Sequence, residues 1–335
     1  MSRVDALSSW FDDWAGLTVT VWGLGDEGFA VADTLVELGA AVTVLLDTAD
    51  SDREVILDVL GATTIHATRE KWHTLTSDSP PDIVVLTPQV ETDSGDRSAL
   101  RDRGIAVWTP LELASRVADK VAGGPRFVFV GGARSRQIGD LAQQLLLASG
   151  VRSFRAGEGV APALDGIRLP DGLDVVLVDV SEAELSVWSD AEGSMRRPHL
   201  SVCVDDEEPL DHRLLLELYR DTELACVYRR GGGSTEKAVE DAWVVEGCRA
   251  IGVGLDTPGM SDFGRVEDIV CDRAFLDDRA DRALELCTTA ELEQAGLDNA
   301  EDALSALAAF AIARAFAVAP ELIGQELARW GGLGE

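Results

Sequence analysis

The most constraining feature of the chain is a short β-branched run that ends on a glycine turn. Thr18-Val-Thr-Val-Trp22 reads as a buried strand. Gly23-Leu-Gly25-Asp-Glu-Gly28 follows it, and Phe29 to Leu38 carries Ala30, Val31, Leu35 and Leu38 at helical spacing. A second apolar run, Ala41 to Leu46, ends at Asp47. Strand, glycine turn, helix and strand in that order make a βαβ unit, which must be parallel and right-handed. Gly23 permits the turn, Gly25 lets a phosphate approach, and Gly28 lets helix and strand pack closely. A nicotinamide-dependent oxidoreductase is the familiar inference. Asp26 and Glu27 argue against it, because carboxylates at that helix start repel a pyrophosphate. No hydride-transfer constellation follows downstream. A turn that merely packs helix on sheet is the plain alternative. Asp47 can accept hydrogen bonds from a ribose, or simply belong to the turn that ends the strand.

Further units follow. Asp82 to Leu86 reads as a strand ending at Thr87-Pro88, Ser98 to Arg103 as a helix, Ile105 to Trp108 as a strand and Pro110 to Val117 as a helix. Ala122-Gly-Gly-Pro125 then breaks the pattern. A second series starts at Phe127-Val-Phe-Val130 with Gly131-Gly132 and a helix running to about Ser149. Strands are expected at Asp174 to Val180, His199 to Val204, Cys226 to Arg229, Ala250 to Val253 and Arg265 to Val270. Arg213 to Leu224 reads as a helix, and Asn299 to Phe316 with Glu321 to Trp330 as a closing helical pair. The expectation is an α/β chain of two tandem parallel-sheet domains, residues 1–122 and 123–335, the first Rossmann-like. Ligands of such sheets sit at the carboxyl ends of the strands.

Composition narrows the partners. Sixty acidic residues against 29 basic ones give a formal charge of −31, and Lys71, Lys120 and Lys237 are the only lysines. Such a field repels nucleic acid and anionic membrane. The five cysteines, Cys203, Cys226, Cys248, Cys271 and Cys287, have no CxxC spacing and read as thiols in a reducing compartment. The N-terminus lacks the apolar core of a signal peptide, and no apolar run approaches the roughly 20 residues of a membrane helix. A cytoplasmic protein is expected.

Read in order, the segments resemble one family, the MurD branch of the Mur ligases. Val19-Thr-Val-Trp-Gly-Leu-Gly-Asp-Glu-Gly-Phe-Ala-Val-Ala32 resembles its opening. Asp47-Thr48 falls where the family has an Asp-Thr pair near the uracil. Thr87-Pro88-Gln89 stands where it has a Ser-Pro-Gly turn. Gly104-Ile-Ala-Val-Trp-Thr-Pro-Leu-Glu-Leu113 is the nearest stretch. Val270-Cys-Asp-Arg-Ala-Phe275, Leu297-Asp-Asn-Ala-Glu-Asp-Ala-Leu304 and Val318-Ala-Pro-Glu-Leu-Ile323 resemble the close of its central domain. The resemblance covers nearly the whole chain. It implies association with peptidoglycan precursor synthesis and a first domain holding a UDP-sugar near Gly23, Gly25, Gly28, Asp47, Thr48, Thr87 and Pro88. It also implies a central domain that uses ATP and magnesium to join an acyl group to an amine.

The residues of that chemistry depart from the family pattern. The family's Gly-Thr-Asn-Gly-Lys-Thr phosphate loop falls at Gly131-Gly132-Ala133-Arg134-Ser135-Arg136. Arg134 replaces its second glycine, Ser135 its lysine and Arg136 its metal-binding threonine. Two arginines could still assist an anion, but losing one key electrostatic contact costs about 3–4 kcal/mol. The family's Gly-Asn-Ile-Gly turn appears as Gly157-Glu158-Gly159-Val160, with Pro162 kept. Its strand-end Glu matches Asp179, a carboxylate that could meet a hard cation. Its Asp-His-Leu-Asp motif aligns with Glu208-Pro209-Leu210-Asp211, where Pro209 has no ligand atom, and His212 is out of register. Its carbamylated lysine falls at Glu223, counted from Tyr219 along the helix; a glutamate there can mimic a carbamate or be an ordinary helix residue. Asp298 stands in for a histidine before Asn299. The family's third domain has no counterpart before the chain stops at Glu335. The expectation is a non-catalytic, pseudoenzyme-like protein to which no cofactor and no catalytic or metal residue is assigned. Its partner would be a UDP-sugar or a cell-wall synthesis protein. The alternative is an ATP- and magnesium-dependent ligase that works with a separate partner domain, with Asp179 and Glu223 as remnant candidates.

Overall fold

The computed structural model describes residues 3–46, 48–68, 79–90, 92–189, 197–205, 210–231 and 233–330. It contains two compact units. The first is built on Met1–Pro125, and the chain returns to it at Ala156–Gly172 and again from Ala183. The second takes Arg126–Arg155, Leu173–Glu182 and the chain from Arg197 onward. The break at Ala122 to Pro125 falls at the first crossing. The two later returns carry no compositional signal. Tertiary packing produces one of them, since the helix Ala163–Ile167 lies against the helices Asp26–Glu37 and Pro110–Arg116.

In the first unit β1 (Thr18–Trp22), β2 (Ala41–Leu46), β3 (Thr63–His66), β4 (Ile83–Leu86) and β5 (Ala106–Trp108) form one parallel sheet in the order β3-β2-β1-β4-β5. The chain winds outward from β1, then crosses to β4, so the strand order switches between β1 and β4. Val19, Val21, Val42 and Val44 share one face of the central strands, Thr20, Trp22 and Leu45 lie on the other, and all are buried, as parallel strands covered by helices on both faces require.

In the second unit the sheet runs β14-β13-β12-β11-β10-β9-β6-β8-β7 among the described residues. The strands are β6 (Arg126–Gly131), β7 (Ser153–Gly157), β8 (Val175–Val180), β9 (Leu200–Cys203), β10 (Ala225–Arg229), β11 (Arg249–Val253), β12 (Asp262–Val266), β13 (Ile269–Asp272) and β14 (Leu284–Thr288). From β8 through β12 the pairs are parallel, whereas β12-β13 and β13-β14 are antiparallel. The α/β reading stands with this antiparallel flank added. The single strand expected over Arg265 to Val270 is instead a hairpin that turns at Glu267, whose φ of 56° lies in the left-handed region. Glycine or asparagine usually marks such a turn, so a glutamate there hides it.

The helix Ala300–Ala315 is buried from Ala303 to Ala313, which explains its composition. A helix enclosed on all sides has no polar stripe, and its small alanines admit close neighbours. It packs on the helix Ser135–Ala148, and their apolar faces join one core with Val128, Val130, Val202 and Ile251 of the sheet. Arg314 ties its end to the fully buried Asp272 at 2.9 Å, and the other oxygen of Asp272 accepts the amides of Ala274 and Phe275. Among the described residues no helix is long and apolar enough to cross a membrane.

Candidate functional sites in the two units

The first site lies in the first unit at the carboxyl ends of β1, β2 and β4, where open α/β sheets place ligands. Gly23 has φ +99°, and its amide donates to Leu45 O at 2.9 Å. A side chain at Gly23 would strike the hydroxyl of Thr87, which donates to Trp22 O at 2.9 Å. A Cβ on Gly28 would fall inside the carbonyl oxygen of Gly23. Gly28 is therefore required by the contact of helix and turn. Gly25, by contrast, faces only the side-chain amide of Gln89, 3.2–3.3 Å from where its Cβ would be.

These turns enclose a cleft of about 740 Å³, with Gly23, Gly25, Thr48, Asp50 and Gln89 among its lining residues. Thr87 and Pro88 line a second, smaller cavity of about 210 Å³, with Arg97 and Glu184. The structure thus gathers Gly23, Gly25 and Thr48 into one cleft. Gly28 supports it from below, and Thr87 borders both the turn and the smaller cavity. Asp47 lies outside the described residues, as do Glu208 and Pro209.

The carboxylates at the helix start are not the barrier to phosphate that the sequence suggests. Arg53, from the helix Ser51–Leu60, pairs with Asp26 and donates to Leu24 O at 3.3 Å and to Asp50 at 3.3 Å. That cation at the cleft's rim escaped sequence reading, although Asp50 caps its helix by accepting the Arg53 amide at 3.2 Å. Glu27 is pushed up to about 8, first by burial and then by the charges of Glu184, Asp165 and Asp26. At neutral pH it is a neutral acid.

Raising the folded pKa of a carboxyl above its unfolded value gives stability that is fully present below about pH 4.5 and lost as pH rises through about 8. The urea midpoint of the first unit is therefore expected to fall between pH 5 and 8. Glu27→Gln should flatten that fall, and an unchanged slope would contradict the assignment.

The second site is the turn between β6 and the helix Ser135–Ala148, where the phosphate loop was expected. Gly132 has φ +91°, and Arg134 occupies the N-cap position without a side-chain cap. The loop amides close on a carboxylate of the same chain. Asp205, just past β9 and only 5% exposed, accepts the amides of Ala133 and Arg134, the latter at 3.4 Å. A Cβ on Gly132 would collide with its Oδ2. Burial raises the Asp205 pKa although both amides pull it down. Positive backbone ends at a helix start take an anion, and here the anion is Asp205.

Arg134 does not face that cradle as a free cation. Arg134 pairs with Asp302 at 2.6 Å and reaches Gln137 at 3.4 Å. Arg136 is exposed, and its carbonyl accepts from Arg155 at 3.1 Å. Ser135 begins the helix. Asp179 is engaged by Arg155, which also pairs with Asp140. The Arg155 side chain is 4% exposed and rests where Gly139 leaves room, its Nε 2.9 Å from the position of a Cβ. Burial pushes Asp179 up to about 6 despite Arg155.

Glu223 is not brought to this site. The helix expected to carry it ends at Tyr219, because Arg220 turns extended and Asp221 adopts φ 56°. Glu223 then lies before β10, its amide bonded to Pro198 O at 2.9 Å, at the opposite ends of the parallel strands from the cradle.

The family's triphosphate and metal therefore do not fit the residues present. The cradle's amides hold a carboxylate, and the candidate metal ligand holds a guanidinium. Among the described residues no group of three or more His, Cys, Asp or Glu side chains could hold a metal ion.

No protein-family model matches the chain. The chain is similar to the UDP-N-acetylmuramoylalanine--D-glutamate ligase of Leifsonia xyli subsp. xyli, at 40% identity over 342 residues, covering 96% of this chain and 65% of that protein. It is 34% identical to the protein of the same description from Tropheryma whipplei, covering 98% of this chain and 69% of that one. The chain thus spans about two thirds of the length of these relatives. In fold it is similar to the UDP-N-acetylmuramate:L-alanyl-gamma-D-glutamyl-meso-diaminopimelate ligase of Neisseria meningitides, with a TM-score of 0.55 at 13% identity over 96% of this chain and 100% of that one. A murein peptide ligase of Psychrobacter arcticus gives a TM-score of 0.53 at 12% identity, over 95% of this chain and 69% of that one.

Proposed function

The chain belongs to the UDP-N-acetylmuramoylalanine--D-glutamate ligase family, and from that membership we propose that it binds a UDP-sugar of peptidoglycan precursor synthesis without carrying out ATP-driven ligation. The observation that carries the second half is Asp205 seated on the amides of Ala133 and Arg134. A phosphate and this carboxylate compete for the same donors. The position of the family's lysine holds Ser135, and Arg134 is paired with Asp302. Binding of the UDP-sugar rests on the cleft above Gly23 and Gly25, on Thr48 at its wall and on Arg53 at its rim.

In this reading the first unit recognises the precursor, and the second is a folded platform for a partner in cell-wall synthesis. The test is phosphate release from ATP and magnesium in the presence of UDP-N-acetylmuramoyl-alanine and D-glutamate. The expected result is a rate at the no-protein level. The relatives' own activity supports a second reading, an ATP-dependent amide-bond ligase. Phosphate release that depends on both substrates, with a new amide in the product, would establish that reading and overturn the first.

A further inference from the structure

Apart from both sites, two cysteines meet across neighbouring strands. Cys226 lies near the start of β10 and Cys248 directly precedes β11, with their sulfurs 3.9 Å apart. Cys203, Cys226, Cys271 and Cys287 are buried, and Cys248 alone of the five is partly exposed. The Glu246-Gly247 turn before it, with Gly247 at φ +93°, gives its backbone freedom to adjust.

We propose that Cys226 and Cys248 form a redox-active dithiol, a modification site where a peroxide converts the two thiols into a disulfide. The roles follow from the environment. Cys248 is the accessible sulfur, and its thiolate is stabilised first by the hydrogen bond from Cys226, against the opposing effect of burial, with smaller help from backbone contacts. Cys226 is held protonated, first by that same neighbour and then by burial. A stabilised, accessible thiolate beside a second thiol is the arrangement that oxidises selectively.

In the first step the Cys248 thiolate attacks one oxygen of hydrogen peroxide. The O–O bond breaks, Cys248 becomes a sulfenic acid, and the departing hydroxide takes up the proton that Cys248 had shed, giving water. The anionic neighbour that held the Cys226 proton is then gone. The Cys226 sulfur attacks the Cys248 sulfur, the S–O bond breaks, and the hydroxyl leaves with the Cys226 proton as a second water. Two thiols and one peroxide become one disulfide and two waters. Each sulfur loses one electron, and the peroxide oxygens are reduced. The disulfide closes residues 226–248 into a loop that contains the helix Ser234–Asp241, which packs against the helix His212–Tyr219.

The experiment treats the folded chain with hydrogen peroxide and maps tryptic peptides without reductant. Cleavage after Arg220, Arg229, Lys237 and Arg249 places the two cysteines in separate peptides. The expected result is one cross-link between 221–229 and 238–249, reversed by a thiol reductant, with Tm raised by about 5 °C in the oxidised form. Cys226→Ser should leave a sulfenic acid on Cys248 that dimedone traps, and Cys248→Ser should abolish both adduct and cross-link. Free thiols at both positions after peroxide treatment would overturn the proposal, as would a cross-link through Cys203, Cys271 or Cys287.

Discussion

Arg155→Met is expected to destabilise the second unit by about 3–5 kcal/mol, the usual cost of removing one partner from a buried ion pair. The guanidinium sits between Asp140 and Asp179 with its side chain 4% exposed, and Asp179 is only 12% exposed itself. Methionine fills much of the volume but leaves the Asp179 carboxylate in a poorly solvated place without its counter-charge. The loss follows from the remaining charge, so a second change can repair it. Arg155→Met combined with Asp179→Leu should recover a large part of the stability, because two apolar groups of similar size replace a buried pair at little cost. Urea unfolding of the single and double variants measures both numbers. A single-variant loss under about 1 kcal/mol would show that the guanidinium does not neutralise Asp179. Equal losses in single and double variants would show that packing, not charge, is at stake.

The second large effect is expected at Gly28. Gly28→Ala places a Cβ inside the carbonyl oxygen of Gly23, with the Gly23 carbon at 2.9 Å and Thr87 Cγ2 at 3.3 Å. The first two obstacles are backbone, so no side-chain rotation relieves them. The helix Asp26–Glu37 must lift from β1, at about 1–3 kcal/mol or more, and the cleft wall moves with it. Gly25→Ala is the matched control, since its Cβ meets only the flexible end of Gln89. Thermal unfolding should separate the two, with a Tm lower by several degrees for Gly28→Ala and near the parent for Gly25→Ala. Affinity for UDP-N-acetylmuramoyl-alanine should fall by tenfold or more in Gly28→Ala. Equal Tm values for the two variants would remove the steric argument.

Local patterns made β1, its turn and the helix after it readable, whereas β3 and the helix Ser51–Leu60 were not expected. β1 is continuous and β-branched, its turn is marked by glycine at three spaced positions, and the following helix shows its apolar period. Each of these signals lies within a few residues of what it specifies. The second unit's site could not be read that way. Asp205 reaches the cradle from the end of β9, 71 residues from Arg134, because β9 and β6 are sheet neighbours. Arg155 reaches Asp179 across 24 residues for a similar reason. No local pattern marks a carboxylate that will reach a loop so distant along the chain. Counting along the chain also failed at Glu223, since the helix ends at Tyr219 and the count had assumed an unbroken one. Ser135 at the expected lysine position could be read from sequence; the carboxylate of Asp205 on the loop could not.

The amide resonances of Gly132, Ala133 and Arg134 report most directly on whether the cradle already holds its anion. With the chain labelled in nitrogen-15, titration with ATP and magnesium is expected to leave all three unmoved into the millimolar range, while UDP-N-acetylmuramoyl-alanine shifts Gly23, Gly25 and Thr48. Saturable shifts of the loop amides at micromolar ATP, reversed by ADP, would contradict the account.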